Sequence, residues 1–171
     1  ADNNSFTLNN VNVTVGMQSG VSETQLFGLW HDSGIVTVNG AATISVSNDA
    51  TDIAMGYAFD SIHDNERPTP SPRQTTFTDT ASISASSSVD GAWAAGIYMR
   101  ANALDKPSLT FKKDAEISAH AASGEAGGII LNYSDYSSNN STDGAQGGSV
   151  VFEDTSALTV EASGKAAVGV L

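Results

Sequence analysis

Few residues in this chain are of a type and spacing that could do chemistry. The phrase "HDSG", His31 to Gly34, puts a histidine, an aspartate and a serine in one short connection. Nucleophilic catalysis needs such groups to converge in space, which adjacency in sequence does not supply, so a polar turn is the plainer reading. Neither a G-x-S-x-G elbow nor an H-E-x-x-H zinc motif occurs.

Carboxylates are the next candidates. Asp60, Asp64 and Glu66 open the stretch "DSIHDNERPTPSPRQ" and could act as general acid and base on a polysaccharide. They sit beside Arg67 and two prolines, however, which describes a solvated and partly self-paired loop. Seven lysines and arginines are too few to line a cleft for acidic sugars. Calcium takes oxygen ligands, but the nearest phrase, "STDGAQGG", lacks the repeated glycine and aspartate pattern of a calcium-binding solenoid. His63 and His120 stand more than one repeat apart and read as surface residues.

A second long stretch, "NYSDYSSNNSTDGAQGG", carries Tyr133 and Tyr136 with Asn139 and Asn140. Aromatic rings with a polar tip, set among amide and hydroxyl groups, suit sugar and protein contacts. The candidate binding residues are thus Tyr133, Tyr136, Asn139, Asn140, Asp60, Asp64 and Glu66. No catalytic residue, metal ligand or cofactor is assigned.

Composition narrows the partners. The net charge of -12 repels a phosphate backbone and an anionic membrane surface alike. Charged residues make up only 15% of the chain, against about 25% in ordinary soluble domains, so the surface is polar but largely uncharged. There is no cysteine and hence no disulfide framework. No apolar run nears the roughly 18 residues of a membrane span. Neither nucleic acid as a partner nor membrane insertion is expected.

The elements that must position these loops come from an internal repeat. Five copies of one phrase run through the chain: "FTLNNVNVTV" with "LFGLW", "VTVNGAATISV" with "AMGYAF", "TTFTDTASISA" with "AAGIYM", "LTFKKDAEISA" with "AGGIIL", and "VVFEDTSALTV" with "AVGVL". Val38 and Ile44, Phe77 and Ile83, Phe111 and Ile117, and Phe152 and Leu158 all lie six residues apart, while Leu8 and Val13 lie five apart. Aligned on that anchor, one column reads Val13, Ile44, Ile83, Ile117, Leu158. A second, two residues on, reads Val15, Val46, Ala85, Ala119, Val160. Between them stands a hydroxyl column of Thr14, Ser45, Ser84, Ser118 and Thr159. That alternation is a strand with one buried face.

A glycine column, Gly28, Gly56, Gly96, Gly128 and Gly169, introduces a further strand and fits a corner where the backbone bends or approaches its neighbour closely. Trp30, Tyr57, Phe59 and Tyr98 follow it and read as core or flank packing, with Trp93 partly exposed. No segment offers a helical apolar stripe. Three short strands per copy with matching faces predict an all-β parallel β-helix, a β-solenoid of about five three-stranded coils stacked about 4.8 Å apart. Successive anchors are 31, 39, 34 and 41 residues apart, and most of that variation follows the third strand. The loop insertions therefore belong at one corner, where solenoids usually bind.

At this point the phrases "FTDTASISASSSVDGAWAAGIYM" and "LTFKKDAEISAHAASGEAGGIILN" resemble the passenger domains of Gram-negative autotransporters, over nearly the whole chain. The resemblance implies a right-handed parallel β-helix, exported and displayed outside the outer membrane, with adhesion, self-association or toxin-like virulence roles. The family's C-terminal membrane barrel is absent, so residues 1-171 are expected to be a single solenoid segment of a longer passenger. The resulting expectation is a non-catalytic extracellular adhesion or self-association module whose partner is a host surface protein, a glycan or another copy of the chain. A polysaccharide-degrading enzyme on the same scaffold and a spacer stalk are the alternatives, although the aligned columns hold no clusters of aspartate with lysine or arginine.

Overall fold

The computed structural model describes residues 4–17, 25–31, 33–49, 53–60, 73–100, 107–131, 148–163 and 165–171. Among them there is no helix. The first coil consists of β1 (Ser5–Asn9), β2 (Asn12–Met17) and β3 (Gln25–His31), and the second of β4 (Gly34–Asn39), β5 (Ala42–Asn48) and β6 (Ile53–Asp60). The third comprises β7 (Arg73–Phe77), β8 (Ala81–Ser87) and β9 (Trp93–Arg100). The fourth is β10 (Ser108–Phe111), β11 (Ala115–Ala121) and β12 (Ala126–Leu131), and the fifth β13 (Ser149–Phe152), β14 (Ser156–Ala162) and β15 (Ala167–Val170).

Each strand pairs in parallel with its counterpart one coil away, which builds three five-stranded sheets. The first sheet runs β1-β4-β7-β10-β13, the second β2-β5-β8-β11-β14 and the third β3-β6-β9-β12-β15. The chain is a parallel β-helix of five coils, as the repeat predicts.

Register follows the aligned columns residue by residue. Val13, Ile44, Ile83, Ile117 and Leu158 are successive partners across the second sheet, as are Val15, Val46, Ala85, Ala119 and Val160. The period-two pattern of β5 and β8 buries alternate residues completely or nearly so, with Ile44 and Ile83 fully buried. Burying each such side chain is worth about 1.5 to 3 kcal/mol, and a one-residue slip would turn the whole set outward. In the first sheet Phe77, Phe111 and Phe152 form a ladder with ring centroids 5.0 and 5.1 Å apart and nearly parallel planes.

The third sheet departs from simple alternation at its glycines. Ala94 packs inward with Val46 and Ala85, whereas Ala95 belongs to an outer cluster with Met55 and Tyr98. Gly96 then faces inward towards Ile117, and its successor Ile97 is inward too. Two consecutive inward residues shift the phase by one, so the bend the glycine permits lies within the strand and not at a connection. A Cβ on Gly28, Gly56, Gly96 or Gly128 would also fall 2.4 to 2.5 Å from a side-chain carbon of Ile44, Ile83, Ile117 or Leu158 on the next coil. Each glycine is a slot for the anchor side chain of its neighbour.

The first coil is one residue shorter at its first corner. Asn10 adopts a positive φ of 50° there, and the facing Gly40 one of 72°, the left-handed turn conformations that asparagine and glycine tolerate best.

Candidate functional site

The insertions arise where the third sheet returns to the first. His31 to Gly34 is a short return, but the chain takes longer ones from Asp60 to Arg73, Arg100 to Ser108 and Leu131 to Ser149. All four leave the same side of the stack, because their flanking strands are neighbours in the same two sheets. Asp60 closes β6, and its main chain is in register with Arg100 on β9. The Asp60 side chain and all of Asp64, Glu66, Tyr133, Tyr136, Asn139 and Asn140 lie outside the described residues, as do Asp32 and His63.

Beneath this corner the core is polar. His31, at the end of β3, is buried, with Nε2 2.7 Å from the Ser33 carbonyl oxygen and Nδ1 3.2 Å from the Thr75 hydroxyl. A carbonyl can only accept, so in the neutral ring Nε2 carries the proton and Nδ1 accepts from Thr75. The Thr75 oxygen is then free to accept from the Tyr57 hydroxyl, 3.0 Å away. Burial pushes the Tyr57 phenol up to about 12, with the Thr75 hydrogen bond acting in the opposite direction. The His31 ring meets Phe59 edge-on at 5.9 Å, and the buried Arg73 guanidinium lies 5.6 Å from the centre of the same Phe59 ring.

Thr75, Tyr57 and Phe59 are buried in the core, while His31 and Ser33 also line a groove on the first coil beside Phe6, Leu29 and Trp30. The polar turn expected at "HDSG" thus begins with a buried, doubly bonded histidine. The repeat itself carries a sequence signal for this cluster. Thr75 replaces Phe6, Val36, Leu109 and Val150 in its column, and Tyr57 replaces Leu29, Ile97, Ile129 and Val170. His31 likewise stands where Phe59, Met99 and Leu131 follow. Three polar intruders in apolar columns mark one spot.

The outer faces of the second and third sheets differ in chemistry. On the second sheet the hydroxyl column faces outward, and Ser84 of that column and Ser86 of the next outward column knit coils by donating to the carbonyls of Ile44 and Val46 at 3.5 and 3.4 Å. His120, half exposed on the same face, lies 3.4 Å from Glu161 of the next coil. A shallow groove of about 330 Å³ crosses the second to fifth coils at the first corner, among Thr43, Thr80, Ser82, Asp114, Glu116 and Thr155. Asp114 and Glu116 are accessible carboxylates that loop-centred reading passes over.

The outer face of the third sheet is apolar. Tyr98 is buried there with Trp93 at 5.8 Å, and Trp93 is half-buried. Trp30 stacks on Phe27 at 5.9 Å and remains 59% exposed on the flank, while Tyr57 and Phe59 are core residues. The four aromatics expected to pack therefore divide into two of the core and two of the flank.

Among the described residues no three histidine, aspartate or glutamate side chains are placed to hold a metal ion. No protein-family model, no curated protein and no solved structure matches the chain.

Proposed function

We propose that this chain is a non-catalytic, surface-displayed binding module of the autotransporter passenger type, mediating adhesion to a host surface or glycan or association with other copies. The observation that carries the reading is the common exit of the long connections 61–72, 101–107 and 132–148 from one side of a rigid stack. A solenoid repeats its backbone every coil, so segments inserted at one corner are brought together however far apart they lie in sequence.

Two further features support it. The second sheet offers a flat, hydroxyl-rich outer face with little charge, the kind of surface that meets sugars and proteins by hydrogen bonding. The strongly acidic balance disfavours nucleic acid and anionic lipid. The resemblance of the repeat phrases to autotransporter passengers adds the extracellular setting.

The test is binding of the purified chain to cultured epithelial cells and to a glycan array, beside a variant in which 61–72 and 132–147 are replaced by short Gly-Ser links. Loss of binding with an unchanged circular dichroism spectrum supports the proposal. Retained binding moves the contact to the sheet faces, and absence of binding by either form favours a spacer. Release of reducing ends or unsaturated sugars from polysaccharides would replace it with an enzyme.

A further inference from the structure

We infer that the groove along the first corner binds an unbranched, uncharged glycan in an extended conformation, laid parallel to the axis of the stack with one sugar over each coil. The inference rests on the glycan arm of the reading above but places the contact away from the insertions, at a corner that none of the long connections leaves.

The corner repeats closely from coil to coil. Ala42, Ala81 and Ala115 are register partners at the start of the second sheet. Their amides donate to the carbonyls of Thr80, Asp114 and Thr155 on the next coil at 2.9 to 3.0 Å, so the parallel ladder runs on through the turn. The residues just before the strand, Thr80, Asp114 and Thr155, therefore stack in one row. The first outward residues of the strand, Thr43, Ser82 and Glu116, stack in a second. Small alanines lie between the rows and leave a groove of about 330 Å³ from the second coil to the fifth, within the range of about 300 to 1,000 Å³ usual for ligand sites.

The lining suits sugars. Each of these coils contributes hydroxyl or carboxylate groups at the repeat of the sheet. An extended, equatorially linked glycan advances per sugar by nearly the rise of the stack per coil, about 4.8 Å, so successive sugars meet the same two rows. The groups are also available. Ser84 and Ser86 on the same face donate to carbonyls of the preceding coil, whereas among the described residues no side-chain hydrogen bond or ion pair engages Thr43, Ser82, Asp114 or Glu116.

Charge selects the class of sugar. Carboxylates accept hydrogen bonds from sugar hydroxyls more strongly than neutral acceptors do, and Asp114 and Glu116 would repel a uronic acid or a sulfate laid over the fourth coil. Lys112 and Lys113 stand in the turn before Asp114, but Asp79, Glu153 and Asp154 in the neighbouring turns offset them.

Isothermal titration of the intact chain with cellohexaose and mannohexaose tests this. The expected result is binding of at least one of them. The hexuronate of the same backbone, which differs by a carboxylate on each sugar, should bind at least about tenfold more weakly. So should maltohexaose, whose axial linkage coils the chain. Ser82→Trp, at a half-buried outward position, fills the groove and should abolish binding with an unchanged circular dichroism spectrum. Asp114→Asn with Glu116→Gln should narrow the discrimination against the hexuronate. The loop-shortened chain should bind the hexamers as the wild type does. Absence of hexamer binding, binding untouched by Ser82→Trp, or a hexuronate bound as tightly as its neutral counterpart overturns the inference. Cell binding that needs the loops, alongside no hexamer binding, overturns it while leaving the loop-centred reading in place.

Discussion

The Cβ that Gly96 lacks would stand 2.5 Å from Cγ2 of Ile117, one coil further on, and 2.9 Å from the carbonyl oxygen of Gly128. The first neighbour is an inward side chain locked in the spine, and the second is backbone held by the sheet. Neither can yield far.

Gly96→Ala is therefore expected to destabilise the fold by about 1 to 3 kcal/mol through overpacking, read as a lower urea midpoint at an unchanged slope. In this 171-residue chain Gly169→Ala, whose new methyl group meets only Leu158 Cδ2 at 3.6 Å, should leave the midpoint nearly unmoved. Equal effects at the two positions would show that glycine is needed for its backbone freedom and not for the slot.

Phe111 stacks between Phe77 and Phe152 at 5.0 and 5.1 Å. Phe111→Leu keeps the site apolar but removes two ring pairs, each worth about 0.5 to 1.5 kcal/mol beyond area burial. Phe152→Leu breaks only one such pair among the described rings and should cost about half as much. Chemical denaturation of the two variants side by side checks the ratio.

Tyr57 provides a pH signature. Its phenol has an ordinary value of 10.0 and is raised to about 12 in the folded chain, chiefly by desolvation. Between those values the folded protein holds a proton that the unfolded chain has released, so stability falls as pH rises. The contribution is complete below pH 10 and is lost progressively up to about pH 12, on the order of 2 to 3 kcal/mol. Tyr57→Phe should remove that alkaline component, seen as a flatter dependence of the unfolding midpoint between those pH values.

Thr75 donates to His31 and accepts from Tyr57, so Thr75→Val strands two buried polar groups at once. A cost of about 1 to 3 kcal/mol for each is expected. Adding Tyr57→Phe to Thr75→Val should then cost less than Tyr57→Phe alone, because the phenol has already lost its partner. A double-mutant cycle by urea denaturation measures the coupling, and strict additivity would mean the hydrogen bond contributes nothing.

How far a reader can go from the letters alone differs between parts of this molecule. The spine of Val13, Ile44, Ile83, Ile117 and Leu158 is readable because parallel stacking makes each residue's neighbour its own counterpart in the next copy, so an alignment column is also a packing column. The hydroxyl column is readable for the same reason. The position of the insertions follows from counting residues between anchors. The loop residues Asp64, Glu66, Tyr133, Tyr136, Asn139 and Asn140, and the Asp60 side chain, lie outside the described structure, and their roles rest on their chemistry alone.

The polar chain from His31 through Thr75 to Tyr57 shows where reading along columns stops. His31 and Thr75 are 44 residues apart, Thr75 and Tyr57 are 18 apart, and the three come from successive coils and two different sheets. Each substitution is visible in its own column, yet their meeting depends on how the third sheet folds back over the first.

Order along the stack, the identity of the buried faces and the side on which the loops emerge were set by composition and spacing, since a repeating chain can satisfy its apolar columns only by piling copy on copy. Which contacts cross between columns was left to the folded object. That the close approach expected at the glycine column is a slot for Ile117, and that the polar phrase at His31 begins with a buried histidine, was decided by the folded chain, because the distance between sheets and the half-step shift at Gly96 exist only once all three strands of a coil close around a common interior.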